Sequence, residues 1–227
     1  MSTTIAGLAE ARAVLGDSVL GPEELAAALG FDPLSLLTAD ERAAIDPLPF
    51  DSAALASARA ENELLVLRIA RDPDGPLTML QLEKRLGGLA PQVHRGVGYL
   101  LRDEWTIDGQ PFAVRDTPVT GWYLVRRSPH PATLNRSYRA QDAALRTLAG
   151  RRSGIGARRS AVEAAFDLLC WYRHSGQRLL AAAFDWTHSR SSDGGFVAVG
   201  GFGPSGLEIL AFSAAVRFGS LGVCVQR

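Results

Sequence analysis

The sequence predicts an α+β protein in which a mostly helical N-terminal segment precedes a domain of two helices and small antiparallel sheets. Residues 1–60 contain repeated helix-start and helix-stop signals. Two blocks rich in β-forming residues follow, at 64–70 and 99–125. The last stretch, 185–227, contains three short apolar runs separated by Gly and Ser, a spacing that is typical of a compact strand meander.

The N-terminal segment is expected to consist of several short helices. Pro22 stands just after Gly21 and before two acids, and Gly30 closes the same stretch, so a helix is expected between them. Thr38 and Glu41 have the spacing of a capping box, in which each side chain accepts from the other residue's backbone N–H. Basic residues are few here and acidic residues outnumber them, which argues against a helix-turn-helix reader of DNA.

Residues 61–98 are predicted to form a strand–helix connector that packs on the main domain. The run at 64–70 is the strongest strand signal in the first half of the chain. Thr78 is expected to cap a helix that stops at Gly87. His94 has no partner at metal-ligand spacing, so we interpret it as a solvent-facing residue of the connector.

The main domain is predicted to span residues 99–227 and to open with four short strands. These strands are expected at 99–101, 105–107, 112–114 and 121–125. Asp108 and Gly109 lie between the second and third strands, and this dipeptide is a strong hairpin signal.

Two helices are expected next. The first begins at Ser137 or Tyr138 and carries Ala and Leu at helical spacing. A Gly- and Arg-rich stretch at 150–159 contains Gly-x-Gly but lacks the rest of a phosphate-binding loop, so it is interpreted as a solvated loop. Ser160 and Glu163 then form a capping box for a long amphipathic helix.

The chain ends in a predicted antiparallel meander built from the apolar runs 196–199, 207–212 and 221–225. The last of these runs has no loop after it. We therefore expect it to be paired into a sheet and to complete the core.

Composition excludes several classes of function. The chain has 24 basic and 24 acidic residues, so no overall field attracts nucleic acid or an anionic membrane. No apolar run approaches about 20 residues, so no membrane span is expected. The N-terminus lacks the pattern of a secretory signal, which predicts a cytoplasmic protein.

The cysteines and histidines do not indicate a metal or cofactor. Cys170 and Cys224 are interpreted as buried thiols of a cytosolic protein, with a single bridge between them left open. The four histidines show no metal-ligand spacing and are interpreted as surface or capping residues. The sequence therefore predicts no metal and no cofactor.

Three segments carry a resemblance to a known family. They are Arg-Ser-Ala-Val-Glu at 159–163, Trp-Thr-His-Ser-Arg at 186–190 and the terminal Gly-Val-Cys-Val-Gln-Arg at 222–227. With the amphipathic helix and the Gly-punctuated runs between them, the chain from 99 to 227 resembles the C-type lectin fold. It is most similar to the branch that includes the formylglycine-generating enzymes and the variable proteins of diversity-generating retroelements. The helix-start motif of the enzymes is matched only in part, because its Leu-Pro is missing.

The resemblance implies a rigid frame of two helices and small sheets that presents short strands and loops to a ligand. In the retroelement variable proteins this surface lies in the C-terminal segment, where error-prone reverse transcription rewrites adenine-containing codons. Here the resemblance implies a variable segment at 186–220 and the role of a ligand-binding display protein. The implied partner is an unknown protein or other macromolecule, and a homo-oligomer is left open.

The candidate ligand-binding residues are positions of this segment without an evident core role, and almost all are types that mutation of an asparagine codon can reach. They are His188, Ser192, Gly195, Phe196, Ala198, Gly201, Gly203, Ser205, Leu210, Ala211, Ala214, Ala215, Phe218, Gly219 and Ser220. The bulky apolar residues of the segment, Phe196, Leu210, Phe212 and Phe218, are interpreted either as core residues or as an exposed patch that binds a partner.

The alternative is a divergent enzyme of the formylglycine-generating type, acting on a peptide or small molecule. Such enzymes need a copper-binding cysteine pair, which Cys170 in a helix and Cys224 in the last strand do not reproduce. The Ca²⁺-dependent sugar motifs of animal lectins are also missing. Ser189 beside His188 suggests a nucleophile and base, but neighbours on a strand face opposite sides. The sequence therefore predicts a binding protein with no catalytic residues.

Overall fold

The computed structural model describes residues 7–86, 99–100, 109–151, 158–204 and 206–227, with the backbone alone at 99, 100 and 151. Eight α-helices lie in these ranges. They are α1 (Leu8–Leu15), α2 (Pro22–Leu29), α3 (Ala39–Ile45), α4 (Ser52–Ala60), α5 (Met79–Leu86), α6 (Pro111–Arg115), α7 (Tyr138–Arg151) and α8 (Ala161–Ser175).

The strands are short and form small sheets. They are β1 (Val19–Leu20), β2 (Glu63–Arg68), β3 (Arg71–Asp72), β4 (Gly75–Pro76), β5 (Tyr99–Leu100), β6 (Gly121–Arg126), β7 (Phe184–Arg190), β8 (Phe196–Gly203), β9 (Gly206–Phe212) and β10 (Leu221–Gly222). The protein is therefore of mixed α+β class, with a helical N-terminal segment as predicted.

One sheet has three strands in the order β1-β2-β6. β2 and β6 pair antiparallel over six residues, from Glu63 opposite Arg126 to Arg68 opposite Gly121. All six residues of β2 are buried, which explains why its sequence is a nearly continuous apolar run. β1 joins the other edge in parallel. This strand was not predicted, because a two-residue strand between two helices has no periodicity of its own.

The larger sheet has the order β10-β7-β8-β9-β5. The pairs β7–β8 and β8–β9 are antiparallel, as the meander predicts. The prediction is wrong for the last run, because β10 returns across the sheet and pairs with β7 in parallel. β5 likewise pairs in parallel with β9. Both parallel contacts join segments far apart in sequence, so no local turn signal announces them.

The residues after β10 connect the two sheets. Leu124 and Arg227 exchange two backbone hydrogen bonds of 2.9 and 3.0 Å, and the Arg126 N–H donates to the Val225 carbonyl at 3.1 Å. An antiparallel bridge at Val125 and Gln226 lies between these bonds. The expectation that the end of the apolar run is paired into a sheet is confirmed.

Helix α8 is the centre of the core. Its residues from Ala161 to Trp171 are all buried, and it contacts α2, α5, α6, β2, β7 and β8. One continuous apolar cluster runs from Ala11 to Cys224 and includes members from all three predicted segments. The helix is therefore covered on every side over three turns, which its amphipathic sequence stripe did not anticipate.

The predicted helix starts at Thr38, Thr78 and Ser160 are confirmed by their side-chain bonds. The Glu163 carboxylate also accepts the Ser160 N–H at 2.8 Å, which completes the predicted capping box. The strand predicted at 112–114 is wrong, because α6 occupies it. Pro111 fits the first turn of that helix, because the first helical position needs no backbone N–H donor.

Several predictions fall outside the described residues: the connector around His94, the strand at 105–107, the hairpin turn at Asp108 and the middle of the predicted 150–159 loop, at 152–157. The solvated-loop prediction is wrong at both ends of that stretch, because α7 runs to Arg151 and the side chains of Arg158 and Arg159 are buried. In the ranges that the structure describes, no helix is both long enough and apolar enough to cross a membrane.

Candidate binding face

The end of the larger sheet that carries 188–195 and 211–220 is the candidate binding face. β7 enters it with a register shift between Trp186 and Arg190. Beyond the shift burial alternates, so that His188 and Arg190 are exposed while Ser189 is buried. The following turn is fixed by Asp193, whose carboxylate accepts the Ser191 hydroxyl and the Gly195 N–H. These hydrogen bonds lower the pKa of Asp193 from its ordinary value.

A stack of two aromatic rings between two guanidinium groups supports this face. The ring centroids of Tyr138 and Phe196 lie 3.5 Å apart, with 22° between the ring planes. Arg158 lies 3.8 Å from the Tyr138 centroid, and Arg190 lies 3.3 Å from that of Phe196. Trp186 meets the edge of Tyr138 at 5.1 Å. Arg158 is buried and Arg190 is exposed, so the stack runs from the interior to the surface.

Beside the outer end of this stack lies a cleft of about 350 Å³. Arg190, Phe196, Ala211, Phe212 and Ala214 are among the residues that line it. Apolar and polar groups both line it, and the charged side chains among them are one exposed cation, Arg190, and one exposed anion, Asp193. Phe218, whose ring centroid lies 5.6 Å from that of Phe212, is 49% exposed.

The strands that carry the face are held by a chain of four buried charged residues, here called the ionic chain. Arg68 binds both carboxylate oxygens of Asp167, at 2.8 and 2.6 Å. Arg159 also binds Asp167, at 2.6 Å, and binds Asp185 through Nε and Nη2 at 2.8 and 2.6 Å. The second oxygen of Asp185 accepts the Cys224 N–H at 2.8 Å. The ionic chain thereby joins β2, α8, β7 and the terminal segment.

The pKa of Arg159 reflects this environment. Burial alone would lower the pKa of the guanidinium, but Asp185 and Asp167 outweigh it and raise the pKa above its usual value. Arg159 therefore stays charged, and its role is to hold α8 to β7.

The structure distributes the sequence-predicted site residues over three levels of burial. Exposed are His188, Ser192, Ala215, Phe218, Gly219 and Ser220; half-buried are Gly195, Gly201, Gly203, Ala211 and Ala214; buried are Phe196, Ala198 and Leu210. Ser205 lies outside the described residues. Gly195, Phe196, Ala211 and Ala214 meet in the cleft.

The buried and strained members of this set differ from the rest. Ala198 has no exposed surface and packs with Tyr138 and Trp186, so a ligand does not reach it. Gly201 has φ +55°, and a Cβ there would lie 2.8 Å from Phe184. By contrast, a Cβ at Gly219 would meet no atom within 4 Å. The exposed positions therefore suit substitution far better than Ala198 or Gly201.

Sequence reasoning missed two parts of this face, Arg190 and Asp193, and named Phe212 only as a bulky apolar residue of the segment. Arg190 lies two residues beyond the predicted His188, and two-residue periodicity places both on the same side of a strand. That signal was available. The contribution of Tyr138 could not be predicted, because no sequence pattern pairs the start of α7 with Phe196.

His188 and Ser189 do not form a nucleophile–base pair. The Ser189 hydroxyl accepts the Ala161 N–H at 2.9 Å and lies 3.5 Å from the Asp116 carboxylate. The His188 ring is turned outward and bonds the Arg158 carbonyl at 2.8 Å. Cys170 and Cys224 are both free and buried, as interpreted from the sequence. Among the described side chains, no group of three His, Cys, Asp or Glu could hold a metal ion.

Comparison with known proteins assigns no function to the chain, so the geometry described above is the basis for one. No protein-family model matches the chain, and neither a curated protein nor a solved structure matches it.

Proposed function

We propose that the protein is a ligand-binding display protein: residues 99–227 form a C-type lectin fold, and a retroelement diversifies segment 186–220. The observation that carries the proposal is the contrast between the ionic chain and the face it supports. The frame is built from buried charges and a fully buried helix, whereas the face is built from small or exposed side chains around a cleft.

The order of elements supports the fold part of the proposal. From β6 onward the chain runs through two helices, α7 and α8, into three antiparallel strands, and then returns to pair with β6. Two helices and small sheets are what the resemblance implies for the rigid frame. β2 and the N-terminal helices pack on this unit from outside it.

The distribution of burial supports the display part. Of the fourteen described candidate positions, six are exposed and five are half-buried. Gly201 and Gly203 lie at the other end of β8, so nine of these eleven belong to the binding face. Surface substitutions away from caps and buried networks usually change stability by about 0.5 kcal/mol or less. A face of this kind can change its side chains while the frame keeps its geometry.

Sequencing the gene neighbourhood in several isolates tests the proposal directly. We expect a reverse transcriptase gene, a template repeat of the 3′ end of this gene, and substitutions confined to template adenines within codons 186–220. Substitutions spread evenly over the chain, or a locus without a template repeat, would contradict the proposal.

A pair of variants tests the frame-and-face contrast in the protein itself. Ala215→Tyr, at an exposed position, is expected to leave the free energy of unfolding within about 0.5 kcal/mol of the wild-type value. Ala198→Tyr, in the buried aromatic cluster, is expected to lower it by about 3 kcal/mol because the core has no room for the ring. If urea denaturation gave the same change in the free energy of unfolding for both variants, the distinction between a rigid frame and a tolerant face would be wrong.

The enzyme alternative draws on one observation. Asp116 lies beside Ser189, and burial raises the pKa of its carboxyl above the ordinary value even though His188 lowers it. A carboxyl of that kind suits proton transfer. Two measurements test this alternative: metal analysis of the purified chain and an assay for oxidation of a cysteine in a peptide. Bound metal, together with an oxidation activity that Asp116→Asn abolishes, would support it.

A further inference from the structure

The even charge count of the chain conceals a strong asymmetry. Residues 1–86 contain seven basic and fourteen acidic residues, a net charge of −7, which leaves seventeen basic and ten acidic residues at 87–227, a net charge of +7. The binding face belongs to the basic part. A face of one sign raises the local concentration of ligands of the opposite sign.

Arg190 lines the cleft, and three more exposed arginines, Arg136, Arg139 and Arg217, lie in neighbouring segments. Two hydrogen bonds bring them together. The Tyr138 N–H donates to the Ala214 carbonyl and the Asn135 N–H to the Phe218 carbonyl, both at 3.0 Å, so the start of α7 lies against 214–218. None of the four arginines forms an ion pair with another described residue.

The acidic residues near this face are already bound within the protein. Asp193 accepts the Ser191 hydroxyl and the Gly195 N–H. Asp142, on α7, pairs with Arg158 at 2.9 Å. Arg158 therefore neutralises Asp142, whereas Asp193 keeps its negative charge beside the cleft. The four arginines outnumber this one carboxylate.

Arg190 is held in position to bind an anion. Its guanidinium lies 3.3 Å from the Phe196 ring centroid, and Nη1 donates to the Gly194 carbonyl at 2.9 Å. Nε and Nη2 donate to no other described residue. A guanidinium fixed by stacking and by one hydrogen bond binds a carboxylate with little further loss of side-chain entropy.

We propose, on the basis of the display function above, that the ligand of this face is an acidic peptide segment. A ligand carboxylate pairs with Arg190, and an adjacent apolar side chain enters the cleft. The volume of about 350 Å³ lies at the low end of the range of ligand pockets, about 300–1,000 Å³, and suits a single side chain. Nucleic acid fits less well, because a long polyanion covers more surface than the cleft and would also meet residues 1–86, which carry a net charge of −7.

A random dodecapeptide phage library selected on the immobilised full chain tests this ligand class. Enriched peptides are expected to be net acidic and to contain an aromatic or aliphatic residue next to an acid. Measured by fluorescence anisotropy, their dissociation constants are expected to rise about tenfold with Arg190→Glu and to rise with added salt.

Two further variants make the test specific. Arg173→Glu makes the same charge change at the far end of α8, about 20 Å along the helix from its start, and is expected to leave binding unchanged. Ala214→Trp fills the cleft without changing charge and is expected to abolish binding. Circular dichroism of each variant shows whether it is folded.

Each other outcome overturns the ligand class. Neutral or basic peptides whose binding Ala214→Trp abolishes would overturn it while leaving the display function intact. Enriched peptides that neither variant weakens, or no enrichment at all, would count against both. Tighter binding of a dT20 oligonucleotide would assign the face to nucleic acid. Salt-sensitive dimerisation in sedimentation velocity that Arg190→Glu abolishes would assign it to a second copy of the chain.

Discussion

At the scale of single residues, Asp167 is the position that joins the two arginines of the ionic chain. Its two oxygens receive Arg68 and Arg159 from different parts of the chain, and all three side chains are almost fully buried. A buried ion pair is not by itself strongly stabilising, because both charges lose their hydration. Removing one member is costly, however, since its partners remain buried and charged.

We expect Asp167→Asn to lower the free energy of unfolding by about 3–5 kcal/mol, measured by urea denaturation. Arg71→Gln is the matched control, because its ion pair with Glu41 lies at 2.5 Å but near the surface. That change is expected to cost about 1 kcal/mol or less. Similar losses for the two variants would show that the ionic chain is not the main support of the frame.

Asp72 gives the molecule an acid-sensitive contact. It accepts hydrogen bonds from Gln81 and Arg85, both at 2.7 Å, and so ties the β3–β4 hairpin to α5. Burial raises the pKa of Asp72, but these hydrogen bonds outweigh burial and lower it from its ordinary value. A lowered folded-state pKa means stabilisation that is complete above the unfolded pKa of about 3.9 and is lost as the pH falls through the folded value.

Asp72→Asn is therefore expected to destabilise the protein at pH 7, and the difference from the wild type is expected to shrink as the pH falls below about 4. Asp17→Asn, at an exposed position, is the control. Urea denaturation at several pH values provides the measurement. A wild-type-to-variant difference that stays constant down to pH 2 would contradict the assignment.

At the scale of elements, β8 packs so closely that a side chain is excluded at one of its glycines. A Cβ at Gly200 would lie 2.1 Å from the Ala183 carbonyl oxygen and 2.7 Å from the Phe184 Cα, both backbone atoms of fixed position. At Gly203, in the same strand, the nearest atom would lie 3.7 Å away. The first glycine sets the distance between β7 and β8, and the second does not.

Gly200→Ala is expected to lower the free energy of unfolding by about 3 kcal/mol, because the backbone must shift to relieve the overlap. Gly203→Ala should change it by about 0.5 kcal/mol or less. Thermal denaturation of both variants provides the measurement. Equal effects would mean that the β7–β8 approach is looser than these distances indicate.

Several helices and strands that depend on neighbouring residues in the sequence were predicted correctly. The capping pairs at Thr38 and Ser160, the apolar run of β2 and the Gly-separated strands β8 and β9 all depend on neighbours in sequence. The parallel pairings of β10 and β5 and the ionic chain join residues far apart, and one sequence does not reveal such partners. The candidate site was predicted as a segment, whereas its cleft and its stack on Tyr138 required the fold.

At the scale of the whole molecule, the predicted segment boundaries run through the core. β2, in the connector, pairs with β6 over six residues, and Arg68 from the same strand reaches Asp167 in α8. α2 and α5 pack on α8 as well. The N-terminal part therefore covers surfaces that residues 99–227 would otherwise expose.

We expect the full chain to unfold in one cooperative step, with circular dichroism and tryptophan fluorescence giving the same midpoint. Residues 99–227 alone are expected to remain unfolded or to aggregate, because β6 and α8 lose their cover. A dispersed NMR spectrum from that fragment would contradict this expectation and would make the N-terminal part a separate unit.

The two free thiols are natural probes of how the folded protein opens. Burial raises the pKa of Cys170 and Cys224 well above the usual value, so almost no reactive thiolate meets the solvent while the protein is closed. One sulfur lies in α8 near Asp167, and the other lies in the terminal segment beside Asp185. Alkylation at either sulfur records an opening event, and the ratio of the two rates reveals whether helix and terminus are released together or one before the other.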